Sequence, residues 1–165
     1  MADSSALLSV PIFSDLSSTQ LQKLWDEGRE EMFRAGQHII QEGEQGDTMY
    51  VLLEGVVEIS QTLVLKVGRH QFGQKDKTLI RLDMRACFGE MSMFEDAERS
   101  ATVTCVADCD VFVMTRQNFE SVAVEDPDMA YEIARKIATT LSGRLRKANQ
   151  SVLKLTTALS VALSR

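Results

Sequence analysis

The chain has 165 residues, 44% of them hydrophobic and only two of them prolines, so it can bury a core of its own and is not a disordered segment. Its formal net charge of −6 offers no overall attraction to nucleic acid or to an anionic bilayer. No run of about 18 apolar residues is present to span a membrane, and the N-terminus lacks a basic start followed by an apolar stretch. A single cytoplasmic domain over 1–165, without membrane contact, is therefore expected. Cys87, Cys105 and Cys109 are odd in number, and two lie in strand-like segments. Buried reduced thiols are expected rather than a disulfide framework.

Across 32–114 the sequence runs in short apolar or alternating segments cut by Gly, Asp and Gln, notably 38–40, 49–53, 56–67, 78–82, 101–106 and 111–114. This pattern predicts a mainly β fold, an antiparallel β-roll or jelly roll over 31–115. The basic, apolar-poor stretch 69–77 reads as a hairpin excursion. Residues 115–122 read as a short helix, after which Asp126 and Pro127 supply an N-cap and first-turn pair for a longer one. In that last helix Ile133, Ile137, Leu141, Leu145, Ala148, Val152, Leu155, Leu159 and Ala162 recur at steps of three and four. A heptad-like seam from Leu141 onward is too long for a small roll to bury. The simplest partner is the same helix of a second chain, a homodimer; folding back or docking on another domain is the alternative. Gly143 weakens this helix by roughly 1 kcal/mol relative to alanine and is expected to mark a bend.

Residues 88–103, FGEMSMFEDAERSATV, concentrate the chemistry. Gly89 lets the backbone approach a ligand, and an ionised Glu90 only accepts hydrogen bonds, which suits a ribose hydroxyl. Arg99 carries a planar fork that matches phosphate oxygens, and Ser100 beside it offers an N–H and a hydroxyl. Met91, Ser92, Met93 and Phe94 fit a short helix whose first N–H groups face an anion. Without further context, Arg99 would instead pair on the surface with Glu95, Asp96 or Glu98.

FGE followed by a short helix and Arg-Ser-Ala-Thr-Val resembles the phosphate-binding cassette of the cyclic nucleotide-binding domain family. Residues 43–50, GEQGDTMY, continuing through Gly55 and Ile59, resemble that family's early β-roll signature. Residues 6–30, with Pro11-Ile12-Phe13, Leu16, Leu21 and Leu24, resemble its N-terminal helical lead-in, and 116–165 its C-terminal helices. The resemblance implies a ligand site of Phe88, Gly89, Glu90, Met91, Ser92, Arg99, Ser100 and Ala101. It also implies that the long helix caps the base, with Arg144, Leu145, Lys147 and Asn149 as candidates. Two departures stand out. Arg85-Ala86 replaces the usual Gly-Asp, which would shift the turn and bring a positive charge to the pocket mouth. Glu98 replaces a proline and places a carboxylate that could compete for Arg99. Glu-Arg-Ser at 98–100 also occurs in the bacterial catabolite-activator branch, which binds cAMP, whereas a hydroxyl directly after the arginine can favour cGMP; the ligand implied is cAMP or cGMP, with cAMP preferred.

The reading is a cAMP-binding sensor that transmits occupancy through its C-terminal helix. Its rival is a degenerate interaction module that keeps the roll and dimer helix but binds no nucleotide. With no helix-turn-helix pattern up to Arg165, the chain alone is not expected to read DNA. Enzyme chemistry and a metal are not expected either: His38 and His70 stand isolated, three cysteines are too few for an iron–sulfur cluster, and no triad or phosphoryl-transfer signature is present.

Overall fold

A computed structural model describes residues 3–66 and 72–163. The chain enters through two 3-10 turns, Ser4–Ser9 and Pro11–Phe13, and helix α1 (Ser18–Glu27). A reciprocal capping box between Ser17 and Gln20 fixes the start of α1. Ile12, Phe13, Leu16, Leu21 and Leu24 are all buried, as the spacing of the lead-in implies.

Eight strands follow among the described residues: β1 (Arg29–Phe33), β2 (His38–Ile40), β3 (Thr48–Glu54), β4 (Val56–Lys66), β5 (Phe72–Asp83), β6 (Cys87–Phe88), β7 (Thr102–Cys105) and β8 (Cys109–Thr115). They form two four-stranded sheets, ordered β1-β8-β3-β6 and β2-β7-β4-β5, with every pair antiparallel. This is the predicted β-roll, although it begins at Arg29 rather than at 31. Strand β8 shows why the central strands read as apolar runs. Val111 and Val113 face the roll interior, while Phe112 and Met114 face the helices, so both of its faces are buried. On β3, paired with it, Met49 and Val51 join the helical side and Leu52 the interior. The β4–β5 ladder reaches further out than expected, because Lys75 and Lys77 of the expected excursion already pair with Leu63 and Gln61. Its tip, including His70, lies outside the described residues. His38 sits on β2 with its Nδ1 2.9 Å from Thr104 Oγ1.

Helix α2 (Arg116–Glu125) starts one residue later than predicted because Thr115 is its N-cap, in a capping box with Asn118. Helix α3 (Pro127–Leu163) begins at the predicted pair, with Asp126 Oδ1 accepting from the Met129 N–H at 3.0 Å. Gln20 Nε2 reaches the other oxygen of Asp126 at 3.1 Å and ties α1 to this root. Met129, Ala130, Ile133 and Ile137 are buried, and Leu141 packs on the same core. Gly143, expected to mark a bend, does not break the helix, and a methyl group there would meet nothing within 4 Å. Beyond it the apolar residues emerge: Leu145, Val152, Leu155 and Leu159 are exposed. Cys87, Cys105 and Cys109 are buried free thiols. No helix among the described residues is long and apolar enough to cross a membrane.

Candidate functional site

A cavity of about 280 Å³ opens between the turn after β6, the sheet carrying β2, β7 and β4, and α3. All eight residues of the expected site, 88–92 and 99–101, line it. Ile40, Ile59 and Val103, one from each of the three strands, add an apolar wall that the motifs did not point to. The period of two along those strands, which puts alternate side chains on one face, was the signal that could have found it.

The local conformation is built around Gly89 and Gly46. Gly89 adopts φ +72° and caps a 3-10 turn, Glu90–Met93. A Cβ there would lie 2.9 Å from Thr48 O and 3.0 Å from Arg99 Nη1, so both backbone angle and space demand glycine. A Cβ on Gly46 would fall 2.5 Å from Arg99 Nε. The two motifs meet directly: the Arg99 N–H donates to Glu44 O at 2.8 Å and the Gly43 N–H to Arg99 O at 2.9 Å.

Arg99 is only 9% exposed, and none of Glu95, Asp96 and Glu98 pairs with it. Instead Nη1 donates to Gly89 O (3.2 Å) and Ser92 Oγ (2.9 Å), and Nη2 donates to Thr48 O (2.9 Å). Two of its five N–H donors remain without a partner among the described residues. Burial pushes its pKa below the ordinary arginine value, with Tyr50, Asp47 and Glu44 acting the other way. A guanidinium held by neutral acceptors, with donors to spare at a cavity wall, is an anion site in chemical terms.

Glu90 is 3% exposed and forms an ion pair with Arg144 of α3, whose Nη2 also donates to Cys87 O at 2.8 Å. Arg144 is thus the one base-capping candidate that lines the cavity. Leu145, Lys147 and Asn149 do not, since the helix turns them outward, and Leu145 is 62% exposed. Ser100 is exposed; its carbonyl accepts from Gln61 Nε2 at 2.7 Å, and its hydroxyl has no partner among the described residues. Burial first, and then Glu90, pushes the Cys87 thiol far above its usual range, with Arg144 opposing, so this cavity neighbour is a poor nucleophile.

Neither departure forms a side-chain bond to Arg99. Arg85 takes φ +74°, the left-handed angle a glycine would adopt, and its N–H donates to Leu52 O at 2.7 Å. Arg85 does not line the cavity. Glu98 lines the cavity and bridges to Gln45 through its backbone, without a bond to Arg99. Sequence reasoning missed Arg116, which holds Ser92 O and Glu95 O from behind; an arginine opening a helix gave no signal.

Among the described residues there is no grouping of three or more His, Cys, Asp or Glu that could hold a metal ion. The model of the cyclic nucleotide-binding domain matches residues 30–126. The cyclic AMP receptor protein of Thermus thermophilus is 25% identical over 139 residues, which cover 84% of this chain and 59% of that one. A cGMP-dependent protein kinase of Drosophila melanogaster is 31% identical over 99 residues, 60% of this chain and 10% of that one. The crystal structure of Thermus thermophilus catabolite activator protein superposes with a TM-score of 0.74 at 25% identity, covering 88% of this chain and 63% of that one. The chain spans less than two thirds of the length of each of these relatives. With the family model covering most of the roll and the two cassette motifs joined around one cavity, this chain belongs to the cyclic nucleotide-binding domain family.

Proposed function

We propose that this chain is a non-enzymatic sensor that binds cAMP and reports occupancy through α3. The observation that carries this is Arg99. A buried guanidinium costs several kcal/mol to desolvate, and here no carboxylate pairs with it, whereas a cyclic phosphate at the cavity wall would. The cavity, at about 280 Å³, is close to the lower end of the roughly 300–1,000 Å³ typical of small-molecule sites. A ribose hydroxyl donating to Glu90 shares the carboxylate with Arg144, which holds Oε1, and so weakens that ion pair. Ligand binding therefore loosens one tie between α3 and the turn, and a ligand with different affinity for the two helix positions shifts their populations. The exposed seam of α3 pairs with the same helix of a second copy, which makes helix position readable by a partner.

A thermal-shift titration with cAMP, cGMP and noncyclic AMP tests this reading. Saturable stabilisation by cAMP, weaker with cGMP and absent with AMP, is the expected result. Flat curves for all three would leave an interaction module whose site is satisfied by Arg144 and by its own carbonyls.

A further inference from the structure

Arg116 is the first residue of α2 and does not line the cavity, yet it spans the gap that Arg99 fills. Its backbone N–H donates to Asp47 O at 2.7 Å, next to Thr48, whose carbonyl holds Arg99. Its guanidinium reaches the opposite side. Nε and Nη2 donate to Ser92 O at 3.2 and 2.6 Å, Nη2 donates to Glu95 O at 2.7 Å, and Nη1 pairs with Asp96. Ser92 is also the residue whose hydroxyl accepts from Arg99. One arginine therefore holds both walls of the slot in which the other lies.

We infer that Arg116 is a positioning residue for the ligand's phosphate, setting the distance between β3 and the Glu90–Met93 turn and so the direction in which Arg99 presents its free donors. This rests on the cyclic nucleotide reading of the cavity. The contacts to main-chain oxygens carry the role. They are charge-assisted, and the rigid planar fork meets two carbonyls in a fixed geometry that a freely rotating ammonium does not impose. The pair with Asp96 is peripheral, because Asp96 is 89% exposed and such pairs contribute little. The same clamp connects the turn to α2, which packs on α3, so turn and reporting helix share one support.

The test compares cAMP with its Sp and Rp phosphorothioates, which differ only in which exocyclic phosphate oxygen is sulfur. Affinities are measured calorimetrically on the wild type and on Arg116→Ala, Arg116→Lys and Asp96→Asn. Arg116→Ala is expected to bind cAMP about tenfold more weakly, the effect of losing roughly one charged hydrogen bond's worth of alignment, and its Sp/Rp ratio should move toward one. Arg116→Lys should lie between, and Asp96→Asn within about twofold of wild type. Wild-type affinity in Arg116→Ala, or weaker binding with an unchanged Sp/Rp ratio, would overturn the inference and leave Arg116 a fold-stabilising residue only. Should Arg116→Ala not fold, the ratio in Arg116→Lys decides by the same criterion. Failure of the wild type to bind any of the three ligands would instead sink the nucleotide reading, and the inference with it.

Discussion

Within the roll, none of the buried side-chain N or O atoms among the described residues lacks a partner, and the buried charges of Glu90 and Arg99 are held by an ion pair and by carbonyls. The outer part of α3 does the opposite with its apolar groups, leaving Leu145, Val152, Leu155 and Leu159 between 59% and 68% exposed. The first region is complete apart from an anion that would use the remaining donors of Arg99. The second is complete only with another surface, since a repeating apolar stripe in water is unstable on its own. On the proposed function, a small charged ligand answers to the first region and a protein partner to the second, and α3 connects them.

Removing either demand should leave the other standing. The largest effect is expected from Arg99→Ala, which deletes the buried cation. Loss of two charge-assisted hydrogen bonds to phosphate should weaken cAMP binding by about 10²–10⁴-fold, with the fold retained. Calorimetric titration checks this, and unchanged affinity would remove Arg99 from the site. Gly46→Ala should approach the same phenotype by displacing the guanidinium rather than deleting it.

On the helix, Leu155→Asp puts a charge into the middle of the seam while standing far from the cavity. If the partner is a second copy, sedimentation should show self-association weakened by about 10–100-fold for each of the two leucines lost, one from either copy. The stabilisation by cAMP should survive. A protein that is monomeric before the mutation would contradict the homodimer.

Arg144 belongs to both regions, and its removal sharpens the comparison. In Arg144→Ala, Glu90 is left buried without its partner, so the ligand-free protein should melt earlier. A ribose 2′-hydroxyl would then meet a carboxylate free to accept. The ratio of cAMP to 2′-deoxy-cAMP affinity should rise about fivefold, in line with about 1 kcal/mol for a half-exposed ion pair. Using a ratio cancels any contact Arg144 makes to the base. No change in the ratio would mean that Arg144 and the ribose hydroxyl do not compete for Glu90.

What the sequence made legible was whatever local chemistry dictates. The Asp126-Pro127 start of α3, the apolar runs of β3 and β8, and the cassette glycine all follow from backbone rules that act within a few residues. Strand β1, Arg29-Glu30-Glu31-Met32-Phe33, was missed because three of its five residues are charged and its place is set by pairing with β8. Two-residue β6 was missed because two residues carry no readable period and its place is set by pairing with β3. At the site, residue identities could be read from the motif but partners could not. Arg99 bonds to carbonyls 10 and 51 residues away, and Arg144 to an acid 54 residues away. Arg116 acts through main-chain oxygens that no side-chain pattern encodes.

The smallest expected effect concerns Arg85, a side chain held at a left-handed backbone angle that suits glycine. A side chain held at φ +74° costs roughly 1–2 kcal/mol, and glycine's greater unfolded-state freedom returns roughly 0.5–1 kcal/mol of that. Arg85→Gly should therefore stabilise the protein by about 0.5–1 kcal/mol and raise Tm by about 1–4 °C, without altering cAMP affinity. The N–H bond to Leu52 O survives the change, since it involves only the backbone. A lower Tm would show that the exposed arginine side chain contributes more to the folded state than its strained angle takes away. A changed affinity would mean that this turn, although outside the cavity lining, controls how β6 delivers Phe88 and Gly89 to it.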